Sequence, residues 1–289
     1  MTSARTVLVL GARGRFGHAA TLAFARAGWR VVAQMRVGAS TPHSTAPGVH
    51  WLAHNLDDCD GLVAAAVGAK VVVHALSPSA YTDAAWRTEV PALLDNAMAV
   101  AQALGATLML PGNVYNFGPG MPANLREDTP QRASSGKGMA RVAMEQRLAA
   151  ATRDGTLRSV VIRAGNFFGS GTGSWFDQVT VKDLARGRVT WAGALDVPGP
   201  WAYLPDLADT FVQVAQRRDR LPAFESLHFT GHTLTGQKWL DVLTVTAPSQ
   251  SRALRIAQLP WGLLRVMGLF NAKFASLACL LYTSPSPRD

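Results

Sequence analysis

The stretch Thr6–Arg36, TVLVLGARGRFGHAATLAFARAGWRVVAQMR, constrains this chain more than any other. It opens on an unbroken apolar run, Val7 to Leu10, as a parallel strand requires when both of its faces are buried. Gly11, Gly14 and Gly17 follow at intervals of three. A helical pattern then runs from Arg15 to Ala27 and stops at Gly28, where helices commonly end. Val31 to Met35 reads as a second buried strand. Strand, glycine turn, helix and strand within about thirty residues form the unit that sets a dinucleotide's pyrophosphate on a helix N-terminus. Gly11 permits the tight turn, Gly14 lets backbone N–H groups approach phosphate, and Gly17 lets helix and strand pack closely. A purely structural turn would also use glycine, but without this context on both sides.

The spacing is G-x-x-G-x-x-G, and GARGRFG at this turn resembles the short-chain dehydrogenase/reductase superfamily, in its extended branch, the NAD-dependent epimerase/dehydratase family. The resemblance implies a nicotinamide cofactor and an α/β fold: a Rossmann-type doubly wound parallel sheet with a smaller α/β C-terminal substrate region. On that reading residues 1–165 are the NAD(P)-binding domain and 166–275 a substrate-binding region interleaved with the core. The cofactor would lie on Gly11, Arg13, Gly14, Arg15, Phe16 and Gly17.

An NAD-preferring site usually carries a carboxylate at the end of the second strand for the ribose 2′-OH. This strand ends Ala33-Gln34-Met35-Arg36, without an acid. Arg13 and Arg36 instead offer guanidinium groups suited to a 2′-phosphate, unless both are simply solvated. NADP is therefore the expected cofactor, with NAD the alternative.

Further segments match the family in order. Val49–Leu52 reads as a third strand, and the Asn55-Leu56 pair after it stands where the family's G-D-L-x-D contacts adenine, with Asn55 in the Asp slot. An N-cap cluster explains these residues equally well. Val71–Leu76 is a fourth strand, and His74-Ala75-Leu76-Ser77 resembles the segment passing beneath the cofactor ribose, which brings Ala75 and Leu76 into the cofactor set. Residues 83–104 are helical, with Pro91 kinking the helix or starting a new one. Thr107–Leu110 is a fifth strand, leading into a long loop with Tyr115 at the sheet edge where ligands bind in open α/β folds. The helix 137–151 and strand 159–162 follow. Arg163-Ala164-Gly165-Asn166-Phe167-Phe168-Gly169 resembles the family's R-x-x-N-x-[FY]-G, and Tyr203-Leu204-Pro205-Asp206-Leu207-Ala208 lies in its V-x-D-[VL]-A segment. Strand 226–230 and helix 236–245 complete the C-terminal lobe.

The family's chemistry rests on Tyr-x-x-x-Lys in the helix after the fifth strand and on a Ser or Thr at that strand's end. Here the helix begins Ser135-Gly136-Lys137-Gly138-Met139-Ala140-Arg141. With Glu145 as register, Lys137 takes the Tyr slot and Arg141 the Lys slot; a shift of four puts Lys137 in the Lys slot and Ala133 in the Tyr slot. Neither register supplies a tyrosine, and Pro111-Gly112-Asn113 supplies no hydroxyl. Lys137 and Tyr115 are the candidate catalytic residues. Lys137 would act as a base if burial or Arg141 lowers its pKa; otherwise it contacts the cofactor's ribose or phosphate. Tyr115 would otherwise be a packed aromatic, and Arg141 would pair with Glu145 one turn away. SSGKG is no nucleotide-hydrolase phosphate loop, because Gln131 stands where its first glycine belongs.

Composition sets the outer limits. A hydrophobic content of 48% and a charged content of 16% mark a globular chain. The net charge of +9 is scattered, without a nucleic-acid motif, and suits an anionic small-molecule partner. Two cysteines without metal spacing, Cys59 and Cys279, point to a reducing, cytoplasmic setting with neither disulfide nor metal. The apolar segment 260–281 carries Arg265 and Lys273, which argues against stable membrane insertion and leaves surface attachment as a weaker idea. Residues 276–289 change composition sharply and read as a truncated or non-native tail.

The expectation is an NAD(P)-dependent oxidoreductase or epimerase/dehydratase-like enzyme with a non-standard acid/base set, acting on a small carbonyl, hydroxyl or sugar-like substrate. The alternative is a non-catalytic NADP(H)-binding redox sensor. A homodimer, through the family's common four-helix bundle, is left open by the helix patterns.

Overall fold

The computed structural model describes residues 5–40, 46–169, 173–246 and 254–259. The segments 260–281 and 276–289 therefore lie outside the described residues.

Seven strands form one parallel sheet: β1 (Thr6–Leu10), β2 (Arg30–Met35), β3 (Val49–Ala53), β4 (Ala69–His74), β5 (Thr107–Gly112), β6 (Arg158–Arg163) and β10 (Phe224–His228). Their order is β10-β6-β5-β4-β1-β2-β3. The chain moves outward from β1 to β3 and then returns to the other side of β1, so the order reverses between β1 and β4. In doubly wound sheets ligands bind outside the strands' C-terminal ends at such a reversal.

The apolar runs behave as buried parallel strands should. Alternate residues point to opposite faces, and both faces are covered. Val7, Val9, Val31, Ala33, Val71, Val73 and Ile162 pack beneath α1 (Arg15–Arg26) and α5 (Leu204–Arg217), with Phe16, Phe24, Leu207 and Phe211. Leu8, Leu10, Val32, Val72, Leu108 and Leu110 pack on α2 (Cys59–Ala65), α3 (Asp83–Ala103) and α4 (Gly136–Arg153), with Leu62, Leu94 and Leu148.

Three sequence expectations shift. The strand expected over 226–230 in the C-terminal lobe runs Phe224–His228 and joins the edge of the large sheet beside β6. The fourth strand ends at His74, so Ala75 and Leu76 already belong to the turn. α3 runs as one helix through Pro91, which is exposed. Trp86 and Val90 before the proline and Leu94 and Ala97 after it bury against the same sheet face, offsetting the lost backbone hydrogen bond.

A smaller lobe combines β7 (Asn166–Phe168), β9 (Pro198–Tyr203) and β11 (His232–Thr235) in one sheet with the parallel pair β8 (Arg188–Trp191) and β12 (Arg255–Gln258). α6 (Gly236–Thr246) closes it over Phe176, Trp201, Trp239 and Leu240.

Candidate active site

The glycine turn is as tight as its spacing implies. Gly11 has φ +76°, and a Cβ there would meet Ala75 O at 3.0 Å. A Cβ on Gly17 would come within 2.3 Å of Gly11 O. Ala75 N–H donates to Leu10 O at 3.0 Å, bringing Ala75 and Leu76 beside the turn. Gln34 completes it: this buried side chain accepts the Gly11 N–H at 2.9 Å and donates to His54 O at 2.8 Å. A glutamine within an otherwise apolar strand was the available signal.

The start of α1 fits an anion. Asp58, Thr82 and Ser135 cap α2, α3 and α4 with side-chain oxygens, whereas Gly14 gives α1 no side-chain cap and its first turn holds no acid. Arg13 and Arg15 are exposed around it. Arg13 Nη1 donates to Ser40 O at 2.7 Å, and Arg15 Nη1 donates to Gly173 O, drawing the small lobe toward the turn. Phe16 puts its ring in the core, 4.6 Å centroid to centroid from Phe211, which leaves its backbone, not its side chain, for a ligand at the turn. Arg36 is exposed at the end of β2. Asn55 accepts Asp57 N–H at 3.3 Å in a local turn, while Asp58, not Asn55, is the cap of α2. Leu56 packs against the core beneath.

At the ends of β4 and β5 the two candidate catalytic residues meet through a third. Tyr115 follows β5, where Asn113 Oδ1 accepts Tyr115 N–H at 3.0 Å and shapes the loop. Gly138 admits the Tyr115 backbone to the first turn of α4, since a Cβ there would lie 2.4 Å from Tyr115 O. The Tyr115 and Tyr81 hydroxyls are 3.1 Å apart, and Lys137 Nζ lies 4.4 Å from the Tyr81 ring centre. Lys137 is buried and donates to Asp83 Oδ1 at 3.0 Å. Burial pushes the Tyr115 phenol above its usual range, with Tyr81 and Arg141 opposing more weakly. Tyr81 and Asp83 were missed in the sequence because nothing local links them to a helix more than fifty residues on.

The expected Arg141–Glu145 pair is not formed. Glu145 instead takes Arg163 in a two-pronged buried pair, Nη2 to Oε2 at 2.7 Å and Nε to Oε1 at 3.1 Å. Asn116 and Gln131 donate to the same carboxylate at 2.9 and 2.7 Å, and Arg163 Nη1 meets His228 Nε2 at 2.8 Å. This network ties the Tyr115 loop to α4, β6 and β10. Arg141 instead lies 5.2 Å from the Trp86 ring centre.

The sequence model of the NAD dependent epimerase/dehydratase family matches residues 7–228. The chain belongs to that family. Among solved structures it is similar to UDP-glucose 4-epimerase from Brucella ovis in complex with NAD, with 16% identity, 88% of this chain and 86% of that chain covered, and a TM-score of 0.72. It is also similar to MoeE5 in complex with UDP-glucuronic acid and NAD, with 17% identity, 88% and 85% coverage and a TM-score of 0.70. A monomeric L-threonine 3-dehydrogenase from a metagenome gives 14% identity, 88% and 84% coverage and a TM-score of 0.70. At these identities the likeness speaks for the fold. No match was found among curated proteins. Among the described residues no helix is long and apolar enough to cross a membrane, and no cluster has the makings of a metal site.

His74, the last residue of β4, gives the site a pH dependence of its own. Burial and then the Arg141 charge lower its pKa from 6.5 to about 4. The neutral ring therefore favours the folded state above pH 6.5, and that contribution is lost as pH falls toward 4. The loss should approach about 3 kcal/mol. Urea unfolding at stepped pH is expected to show this acid slope in the native chain and a flatter one in His74→Asn.

Proposed function

We propose that the protein is an NADP(H)-dependent enzyme of its family, acting on a small carbonyl or hydroxyl compound, with Tyr115 as its proton carrier. The observation that carries this reading is the Tyr115–Tyr81 hydroxyl pair beside Lys137, at the ligand-binding edge of the sheet. A bound nicotinamide supplies the hydride donor or acceptor. The start of α1, with the backbone of Gly14, Arg15 and Phe16, would hold the pyrophosphate. Arg13 and Arg36 would take the 2′-phosphate, Asn55 and Leu56 the adenine, and Ala75 and Leu76 the ribose. Within segment 166–275, the small lobe with β7, β9 and β11 would supply the substrate-facing wall, while α5 and β10 belong to the large sheet's packing.

In this reading Tyr115 stays a neutral phenol, as its raised pKa favours, and donates its proton to the substrate oxygen during reduction. In oxidation the phenolate that this transfer leaves takes the proton back. Tyr81 shares the proton through its hydroxyl, and Lys137, engaged by Asp83, positions the Tyr81 ring. The cysteine usage adds the expectation of a reducing, cytoplasmic setting.

The test combines NADPH fluorescence titration with a screen of small carbonyl substrates. Arg36→Ala should weaken NADPH about tenfold and leave NADH unchanged. Tyr115→Phe should lower kcat about 10²-fold with unaltered NADPH affinity. Turnover that survives in both Tyr115→Phe and the Tyr81→Phe/Tyr115→Phe double variant would remove the assignment. The ion-paired state of Lys137 favours a second reading, a non-catalytic NADP(H) sensor. NADPH binding without turnover of any substrate would decide for it.

A further inference from the structure

Between Tyr115 and Lys137 the chain makes a surface loop, residues 118–132, whose two ends meet. A Cβ on Gly118, which has φ +68°, would collide with Arg132 O. Asn116 Nδ2 donates to Gln131 Oε1 at 3.3 Å across the same neck. Most side chains of the loop are exposed. It starts from the end of β5, and its middle reaches His228 at the end of β10. With β6 lying between those two strands, the loop crosses the sheet edge where such folds bind ligands.

Two points fasten the loop to the body, and one guanidinium joins them. At the neck, Gln131 Nε2 donates to Glu145 Oε2 at 2.7 Å. At the middle, His228 Nδ1 meets Leu125 O at 3.3 Å, and Glu127 Oε1 accepts the His228 N–H at 3.4 Å. Arg163 stands between these points. It holds Glu145 with two hydrogen bonds and lies 2.8 Å from His228 Nε2.

These partners fix the protonation of the His228 ring. A guanidinium only donates, so Nε2 accepts from Arg163, and the ring proton sits on Nδ1, where it donates to Leu125 O. Only the neutral ring allows this arrangement. A proton on Nε2 would set N–H against N–H at 2.8 Å and place two positive charges side by side. Arg163 is held by Glu145, so the ring is the partner that must give way. The charged groups around the ring are Arg163 from β6, Glu145 from α4 and Glu127 from the loop, with the Phe117 ring centre 5.9 Å away in a T-shaped contact. Both carboxylates favour the charged ring, but burial and then Arg163 outweigh them and bring the His228 pKa below 6.5.

We propose that residues 118–132 form a lid over the Tyr115 edge of the sheet, and that His228 is its latch, closed while the ring is neutral and released when the ring takes a proton. The latch needs neither cofactor nor substrate; only the chemistry beneath the lid rests on the proposed function. The neutral ring holds the loop in full above pH 6.5, and that hold is lost as pH falls through the lowered pKa.

Hydrogen–deuterium exchange of the full chain, read by mass spectrometry from about pH 8 to about pH 4.5 and corrected for intrinsic rates, follows the loop directly. Protection of the 118–132 amides should fall about tenfold across that range. His228→Gln, whose amide still accepts and donates but takes no charge, should abolish that fall. Protection in β1 and β4 should stay as in the native chain, so the acid loss expected at His74 cancels in the comparison. Glu127→Gln, at an exposed position, removes a carboxylate that favours the charged ring and should move the fall to lower pH. If His228→Gln fails to fold, Glu127→Gln decides alone. A native loop indifferent to pH, or the same fall in the folded variants, would overturn the latch and leave the role of Tyr115 standing. A loop that opens as described in a chain that turns over no carbonyl substrate would uphold the latch and remove the enzyme reading alone.

Discussion

Replacing Glu145 by leucine is expected to cost about 3–5 kcal/mol of stability, measured by urea unfolding. The change removes one partner of a buried ion pair and leaves the Arg163 guanidinium, 4% exposed, without its carboxylate. It also strips Asn116 and Gln131 of their shared acceptor. The double variant Glu145→Leu/Arg163→Met should recover most of the loss, because the penalty belongs to the uncompensated charge and not to the absence of an attraction. A single variant losing less than about 1 kcal/mol would show that the pair contributes no more than a surface bridge. Tyr115 sits at the start of the loop this network anchors, so the single variant should also lower kcat.

Gly17→Ala is expected to weaken NADPH binding by more than about 10³-fold, whereas Gly14→Ala should leave the fold intact and weaken binding less. The added Cβ at Gly17 would lie 2.3 Å from Gly11 O, 2.9 Å from Gly11 C and 3.0 Å from Ala12 Cα, all backbone atoms. Nothing flexible can give way, so α1 must lift from β1 and carry its N–H groups off target. Two or three hydrogen bonds to a charged group, at about 1.5–3 kcal/mol each, account for the size of the loss. At Gly14 the nearest atom is Gly11 O at 3.2 Å, a contact that a small shift relieves. Fluorescence titration with parallel thermal unfolding separates the two cases. Equal affinities for Gly17→Ala and the native chain would remove the glycine turn from the cofactor site.

These outcomes also show what could be read in advance. The first strand, its glycines and α1 are legible because their signals are backbone requirements: φ > 0 at Gly11 and a contact at Gly17 too close for any side chain. Alternation and apolar runs likewise mark the parallel strands, whose neighbours lie close in sequence or at regular intervals. The candidate catalytic group is different. Tyr115 and Lys137 were visible as chemistry-bearing residues in suitable positions, but their link through Tyr81 depends on the end of β4, the start of α3 and the loop after β5 meeting in space. Glu145 shows the same limit in reverse. Helical spacing favours Arg141, and the fold delivers Arg163 because β6 runs beside β5 and presents its last residue to α4. A local pair worth a few tenths of a kcal/mol gives way to a buried one that satisfies several groups together.

The chain does not finish one part before starting the next. It leaves the large sheet after β6, builds β7 to β9, returns for α5 and β10, then goes back for β11 to β12. The two parts are thus stitched by several passages, and glycines stand beside two of them. Gly165 and Gly231 lie against the carbonyls of Pro200 and Trp201, where an added Cβ would come within 2.2 and 2.3 Å. A seam this close leaves little freedom to swing, and no single cut frees the small lobe as a module, because the strand that closes the large sheet lies downstream of the lobe's first three strands. Any new substrate preference must therefore arise in the loops along the seam, with the walls of the cleft held where they are.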